Sequence, residues 1–162
     1  MRRLFFVFIF SFCGLLSAQT EFKLKVSGEV AHPLDLSVSD LSKMPRKDAV
    51  MKDKDGSSHI FTGVPILDVL EKAGVPSGKA LHGAENLSKY VLIKCSDGYQ
   101  VLFSLAELDA SIQDKNVIIA DTVDGKPLPK EKGPLRIIAE GEKKPARSSY
   151  QVREIFISSI KN

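Results

Sequence analysis

The sequence has few of the residues that build metal and redox centres. Of its 162 residues, two are cysteines, three are histidines and none is tryptophan. The cysteines do not form a C-x-x-C pair and the histidines are scattered, so the spacings typical of zinc and dithiol sites are missing. No glycine-rich phosphate loop follows a strand pattern. What remains has the composition of an ordinary globular domain, with 43% hydrophobic residues.

The first 19 residues have the pattern of a secretory signal peptide. Residues 1–3 (M-R-R) are basic, residues 4–16 are almost wholly apolar, and residues 17–19 (S-A-Q) include small residues that suit cleavage. The apolar run is short for a membrane span, and a retained anchor is the alternative. We therefore expect one domain over residues 20–162, periplasmic or secreted, with no stable membrane span after cleavage.

Cleavage changes the charge and the cysteine count of the chain. Removal of Arg2 and Arg3 lowers the formal net charge from +3 to +1. Nucleic acid is then an unlikely class of partner, because it requires a clustered basic face. Removal of Cys13 leaves Cys95 alone, so no internal disulfide is expected, and packing has to stabilise the fold.

Apolar periodicity and turn residues predict a β-rich α+β domain with layered sheets. A single clear helix begins after Pro65 and ends at Gly74. Capping boxes that begin at Ser37 and Ser104 predict two shorter helices. Residues 75–87 form a connection that contains glycine and serine and carries little structural signal. Strands are predicted at 21–30, 34–36, 49–51, 59–61, 90–95, 99–103, 117–123, 135–138 and 150–160.

Two polar residues and one thiol have simple structural interpretations. Arg136 lies in an otherwise apolar strand, so its side chain either reaches the surface or meets an anion. His59 lies beside a turn, and we interpret it as a surface residue, because metal and catalytic roles need partners. Cys95 has the strand parity of Val91 and Ile93 and is interpreted as a small buried hydrophobe.

Three segments in order resemble the molybdopterin-binding domain of the sulfite oxidase family. They are F-T-G-V-P-I-L-D-V-L-E-K-A-G-V (61–75), S-D-G-Y-Q-V-L-F-S-L-A-E-L (96–108) and A-D-T-V-D-G-K-P-L-P-K-E-K-G-P-L-R-I-I (120–138). The opening segment, residues 26–41, is also similar to that family. The resemblance covers nearly all of the expected mature chain. It implies a sulfite oxidase-type fold, with layered mixed sheets and a few short helices.

The resemblance also implies a cofactor, molybdopterin, and residues that would hold it. In this family a protein cysteine adds a third sulfur to the two of the pterin dithiolene, and basic side chains hold the anionic cofactor. We expect the cofactor-binding residues to be Arg136 of G-P-L-R, Arg147 of the basic closing segment, and Tyr99 of D-G-Y as a wall or hydrogen-bond donor. Residues 121–153 contain eight lysines and arginines against five acids.

The segment that would carry the metal-binding cysteine has none. It reads D-A-V-M-K-D-K-D-G-S-S-H-I-F (48–61). Three hypotheses follow. The first is an exported domain that binds an anionic pterin-type ligand with weak or no redox activity. The second is a non-catalytic interaction domain of the cell envelope with an empty cleft. The third is an enzyme whose metal takes Cys95 as its third sulfur ligand.

Overall fold

Ten strands in the described part of the chain pair into two five-stranded sheets. The computed structural model describes residues 22–53 and 55–160, so the predicted signal peptide lies outside the described residues. The strands are β1 (Leu24–Gly28), β2 (Leu34–Leu36), β3 (Lys47–Lys52), β4 (Ser58–Pro65), β5 (Lys89–Cys95), β6 (Gln100–Ser104), β7 (Val117–Val123), β8 (Lys126–Pro127), β9 (Arg136–Ala139) and β10 (Val152–Ser159).

Four short α-helices and two 3-10 turns connect the strands. They are α1 (Val38–Ser42), α2 (Ile66–Lys72), α3 (Gly83–Leu87) and α4 (Leu105–Leu108), with 3-10 turns at Gly78–Ala80 and Pro145–Arg147. Both predicted capping boxes are present, at the starts of α1 and α4. Within residues 22–53 and 55–160, no helix has the length and apolar character that a membrane span needs.

The first sheet has the strand order β2-β1-β10-β5-β6. Strands β1 and β10 pair in parallel, and the other neighbours are antiparallel, so the sheet is mixed. In β1 the alternation that predicted the strand is visible in burial: Leu24 and Val26 are buried and Lys25 is exposed. One face of this sheet covers the main hydrophobic core.

The second sheet has the order β3-β4-β7-β8, and β9 pairs with β7. Asp124 and Gly125 both have positive φ, 48° and 73°, as the tight turn from β7 to β8 requires. Strand β7 is buried on both faces. Ile119 contributes to the main core, whereas Ile118 and Ala120 belong to a smaller apolar cluster. The predicted β-rich α+β architecture with layered mixed sheets is therefore confirmed.

Helix α2 shows why the G-V-P segment has its sequence. Ile66, Val69 and Leu70 are buried on one face, as their spacing predicted. A Cβ built on Gly63, just before the helix, would lie 2.2 Å from the carbonyl oxygen of Ile119. Only glycine fits there, because β4 and β7 approach closely at a register shift. At the other end, Gly74 has φ +78° and ends the helix.

No helix or strand was predicted within residues 75–87. This segment forms a 3-10 turn and helix α3, and none of the residues in either is fully buried. A residue outside the segment holds the start of the 3-10 turn, because the buried carboxylate of Asp109 accepts a hydrogen bond from the Gly78 amide. No apolar stripe marks α3 in the sequence, so periodicity could not reveal it.

Candidate functional site

Arg136, at the start of β9, is a buried cation among aromatic side chains. It is 2% exposed. The guanidinium carbon lies 4.1 Å from the ring centre of Tyr150 and 5.0 Å from that of Phe61, within cation–π range of both. Nε donates to the carbonyl oxygen of Ser148 (3.3 Å), and Nη2 donates to the sulfur of Met51 (3.4 Å). These contacts fix the guanidinium at one place beneath the surface.

The charge of Arg136 is not balanced by an ion pair. Among residues 22–53 and 55–160, no carboxylate lies within 4.0 Å of its nitrogens. Burial lowers the pKa of Arg136, and its electrostatic interactions with Tyr150 and Asp53 only partly oppose this. A buried charge is costly unless an opposite charge meets it. The arrangement therefore favours an anionic ligand.

A small cavity of about 150 Å³ gives access to Arg136, and we call it the Arg136 pocket. Its wall combines the aromatic ring of Phe61 with charged groups of both signs. The basic groups are Arg136 and Lys132, and the acids are Asp53 and Asp124. His59 also lines the pocket. Protonation of its imidazole would therefore change the net charge of the pocket from zero to positive.

His59 has acidic partners on both sides. Its Nδ1 lies 2.7 Å from a carboxylate oxygen of Asp124, and its Nε2 lies 3.2 Å from the Ser57 hydroxyl and 3.9 Å from Asp53. The hydrogen bond with Asp124, which outweighs partial burial, raises the pKa of His59. The side chain is partly exposed, as expected, but its partners were missed because Asp124 comes from the distant turn after β7.

A larger cleft of about 1020 Å³ adjoins the Arg136 pocket, since Asp53 lines both. We call it the large cleft. Tyr150 lines it as well, and the same ring stacks on Arg136. The other charged groups of the wall are mixed in sign: Lys52, Lys143, Lys144, Asp97 and Glu142. The large cleft therefore offers space and aromatic surface, and the Arg136 pocket offers a buried cation without an ion-pair partner.

Tyr99, predicted from D-G-Y, lines the large cleft. Its hydroxyl donates to the carbonyl oxygen of Ala146 (2.9 Å), and its amide donates to the Asp97 carboxylate (2.9 Å). The D-G-Y sequence thus builds a turn and ties it to the segment that forms another part of the wall. Tyr99 is 49% exposed, so its ring remains accessible to a ligand.

Arg147, predicted from the basic closing segment, lies in an ion-pair network. Its guanidinium contacts Glu107 at 3.0 Å and donates from Nε to Glu142 at 2.9 Å, and it stacks at 4.3 Å on Phe103. Burial disfavours the charged form of Arg147, but its hydrogen bonds to Glu107 and Glu142 outweigh burial and raise its pKa. Lys115 joins the same two carboxylates. Arg136 and Tyr99 thus line adjoining cavities, whereas Arg147 forms ion pairs with two glutamates. The cofactor-binding roles of all three residues remain predictions.

Cys95 lies at the end of β5, 8% exposed and within the main core. Burial raises the pKa of its thiol, and the neighbouring Ser149 only partly opposes this. The buried Ser149 hydroxyl itself forms no regular hydrogen bond within the described residues. The neutral thiol is therefore the favoured form, whereas a metal ligand must be a thiolate. Across all the residues that the structure describes, no three His, Cys, Asp or Glu side chains are grouped as a metal site.

Met51 is one of the buried residues in the segment 48–61 that precedes α2, together with Ala49 and Phe61. It is 5% exposed, and its sulfur accepts the hydrogen bond from Arg136. A thioether is neutral and a weaker ligand than a thiolate, so it does not supply a charged third sulfur. The donor set around the Arg136 pocket therefore fits an anionic group but does not fit the thiolate-bound metal of a molybdenum pyranopterin centre.

Sequence reasoning missed Asp53, Lys132 and Tyr150 as members of this region. Lys132 lies 5.7 Å from the ring centre of Tyr150, and Asp53 lies between the two cavities. The only signal was compositional, since residues 125–134 contain three lysines and three prolines. Which of these residues face Arg136 depends on how the loop folds back onto β10.

The fold defines a class of protein: a β-rich domain of the molybdopterin-binding oxidoreductase type. The chain belongs to the family described as the oxidoreductase molybdopterin binding domain, which its sequence matches over residues 14–158. This confirms the resemblance noted in its motifs. No curated protein sequence matches the chain.

A solved structure with the same fold is the sulfane dehydrogenase SoxCD from Paracoccus pantotrophus. The two are 19% identical in sequence with a TM-score of 0.63, over 87% of this chain. This chain spans 39% of the length of the SoxCD chain. At that identity the likeness concerns the fold alone.

Proposed function

We propose that this domain binds an anionic pterin-type ligand and has weak or no metal-centred redox activity. Arg136 supplies the positive charge, and Tyr150 and Tyr99 supply aromatic walls in the large cleft. Arg147 acts indirectly by holding the segment 145–147, with Glu107 and Glu142, in the position that shapes the cleft. Family membership makes molybdopterin the first ligand to test.

One observation carries this proposal: the buried guanidinium of Arg136 has no carboxylate within ion-pair distance in residues 22–53 and 55–160. A bound anion would offset the cost of burying that charge. The bonds to Ser148 and Met51 already orient the guanidinium, so little ordering is needed when the ligand arrives.

The absence of a suitable sulfur argues against a metal centre of the family's usual kind. When bound, a molybdenum pyranopterin supplies oxygen-atom transfer and two-electron chemistry. Residues 48–61 contain no cysteine, and the buried thiol of Cys95 favours its neutral form. We therefore assign no catalytic residue, and the described side chains are given only binding and positioning roles.

Elemental analysis of protein made in a molybdenum-replete host tests the proposal. We expect the wild type to contain molybdenum well below one equivalent. We also expect it to bind a metal-free pterin phosphate, and we expect Arg136→Met to lose this binding. About one equivalent of molybdenum in the wild type would contradict the proposal. If that molybdenum disappeared in Cys95→Ser, the metal would use Cys95 as its sulfur ligand and the chain would be an enzyme.

A non-catalytic interaction domain of the envelope is the second candidate function. Val50 on the edge strand β3 and Ile60 on β4 form a cross-strand pair and are 46% and 51% exposed. An exposed apolar pair at a sheet edge suits a protein partner. Wild-type protein that binds no pterin phosphate, together with a partner whose binding is lost in Ile60→Lys, would favour this function over the first.

Export is part of the proposal and has its own test. Expression of the full chain in a Gram-negative host should give a periplasmic protein whose N-terminus, by mass spectrometry, lies near residue 20. A full-length, membrane-bound product would contradict cleavage and support a retained anchor.

A further inference from the structure

We propose that the Arg136 pocket binds a small oxyanion group, and that protonation of His59 strengthens this binding. The inference rests on the proposed function, because it concerns the same buried arginine. It adds a regulatory input, pH, which acts through the charge of His59.

The size and charge of the pocket indicate the ligand class. A volume of about 150 Å³ suits one compact polar group rather than a heterocycle. Arg136 presents a planar fork of donors that suits oxyanions, and Lys132 adds a second positive charge at the same cavity. A sulfate or phosphate group, free or at the end of a larger molecule in the large cleft, satisfies both.

The acids of the pocket set its charge balance when His59 is neutral. Asp53 and Asp124 then offset Lys132 and Arg136, so these four groups sum to zero. Protonation of His59 gives the pocket a net positive charge. Two other charged residues lie near the imidazole: Asp55, in the turn beside it, and Lys126, which interacts with Asp124. Neither alters the size of the charge change that protonation of His59 causes.

His59 acts through its charge and not as a direct ligand. Asp124 holds Nδ1, and Nε2 faces Ser57 and Asp53, so both nitrogens already have partners. The hydrogen bond with Asp124, together with the charges of the neighbouring acids, raises the pKa of His59 above its ordinary value, so the imidazolium persists to higher pH than that of a free histidine. By linkage, an anion bound nearby must favour proton uptake by His59.

Sulfate is the probe of choice, because its charge is constant between pH 5.5 and pH 8.5. Calorimetric titration of the wild type at several pH values, in buffers of different ionisation enthalpy, measures affinity and proton uptake together. We expect binding on the order of tenfold tighter at pH 5.5 than at pH 8.5, as one added charge a few Å away predicts. Proton uptake on binding should be measurable within this pH range.

Three variants locate the effect. His59→Gln should still bind sulfate, with the weak affinity of the wild type at pH 8.5, and should lose the pH dependence. His82→Gln, at a histidine outside the pocket, should keep the wild-type pH dependence. Arg136→Met should bind no sulfate at either pH. The circular dichroism spectrum and thermal transition of each variant show whether it is folded.

The outcomes separate the two proposals. A pH dependence that survives in His59→Gln would overturn the role of His59 and leave the proposed function intact. Equal sulfate binding by wild type and Arg136→Met would overturn the oxyanion site. Loss of pterin phosphate binding in the same variant would still support the proposed function.

A further arm compares free sulfate with an aryl sulfate monoester. Tighter binding of the monoester assigns the oxyanion to the end of a larger ligand in the large cleft. Equal affinity assigns it to the free ion.

Discussion

The two arginines predicted from the closing third of the chain occupy opposite environments. Arg147 is bound by Glu107 and Glu142 and keeps 30% of its side chain exposed. Arg136 is 2% exposed and meets aromatic rings, a carbonyl oxygen and a thioether. The same residue type therefore stabilises the fold at one position and carries a charge without an ion-pair partner at the other. Burial alone does not predict a binding residue; the proposal for Arg136 rests on burial without an ion-pair partner.

Removal of Arg147 should give the largest loss of stability. Arg147→Met leaves Glu107 and Glu142 with Lys115 alone, and we expect the free energy of unfolding to fall by about 2 kcal/mol. Urea denaturation followed by circular dichroism measures this. Arg153→Met is the matched control, because Arg153 donates one hydrogen bond to the Ser96 hydroxyl and lies over the ring of Phe22, with no acid among the described residues in ion-pair contact, and it should change stability by less than about 1 kcal/mol. Equal losses in both variants would contradict the importance of the network.

Removal of Arg136 should affect binding more than stability. Arg136→Met keeps an unbranched apolar side chain, although a shorter one, and removes a buried charge, so we expect the unfolding free energy to change by less than about 1 kcal/mol. Sulfate binding should be lost at both pH 5.5 and pH 8.5. A loss of stability as large as that of Arg147→Met would show that the charge serves the fold and not a ligand.

The acid side of the stability profile should depend on the Arg147 network. Burial opposes ionisation of Glu107 and Glu142, but bonds from Arg147 and Lys115 outweigh it and lower both pKa values from 4.5. This stabilisation is present above pH 4.5 and is lost as the pH falls through the lower folded pKa values. Thermal transitions between pH 2 and pH 6 should therefore fall less steeply in Arg147→Met than in the wild type. Parallel curves would contradict this assignment.

Tyr99→Phe should have the smallest effect. The variant loses only the hydrogen bond to the Ala146 carbonyl oxygen, at an exposed position, so we expect a stability loss of at most about 1 kcal/mol. Binding of a pterin phosphate should persist, because the ring remains as a wall. Loss of binding in this variant, with an unchanged thermal transition, would show that the hydroxyl contacts the ligand.

Much of the fold could be predicted because its signals are local. The Asp124-Gly125 turn, the Ser37 and Ser104 caps and the α2 stripe each depend on residues a few positions apart. Helix α3 lacked such a signal and was missed. The site was predicted less completely, since His59 and Asp124, or Lys132 and Tyr150, meet only when separate turns and strands pack together.

The sequence by itself determined the alternation of strands and turns, the helix after Pro65, the family, and the lack of a cysteine in residues 48–61. These depend on backbone preferences, apolar spacing and residue identity, which are properties of short segments. Only the tertiary structure decided that Arg147 is bound by two carboxylates and that Arg136 is not. The balance of a buried charge depends on which distant side chains the fold brings within a few ångströms, and no local pattern records that distance.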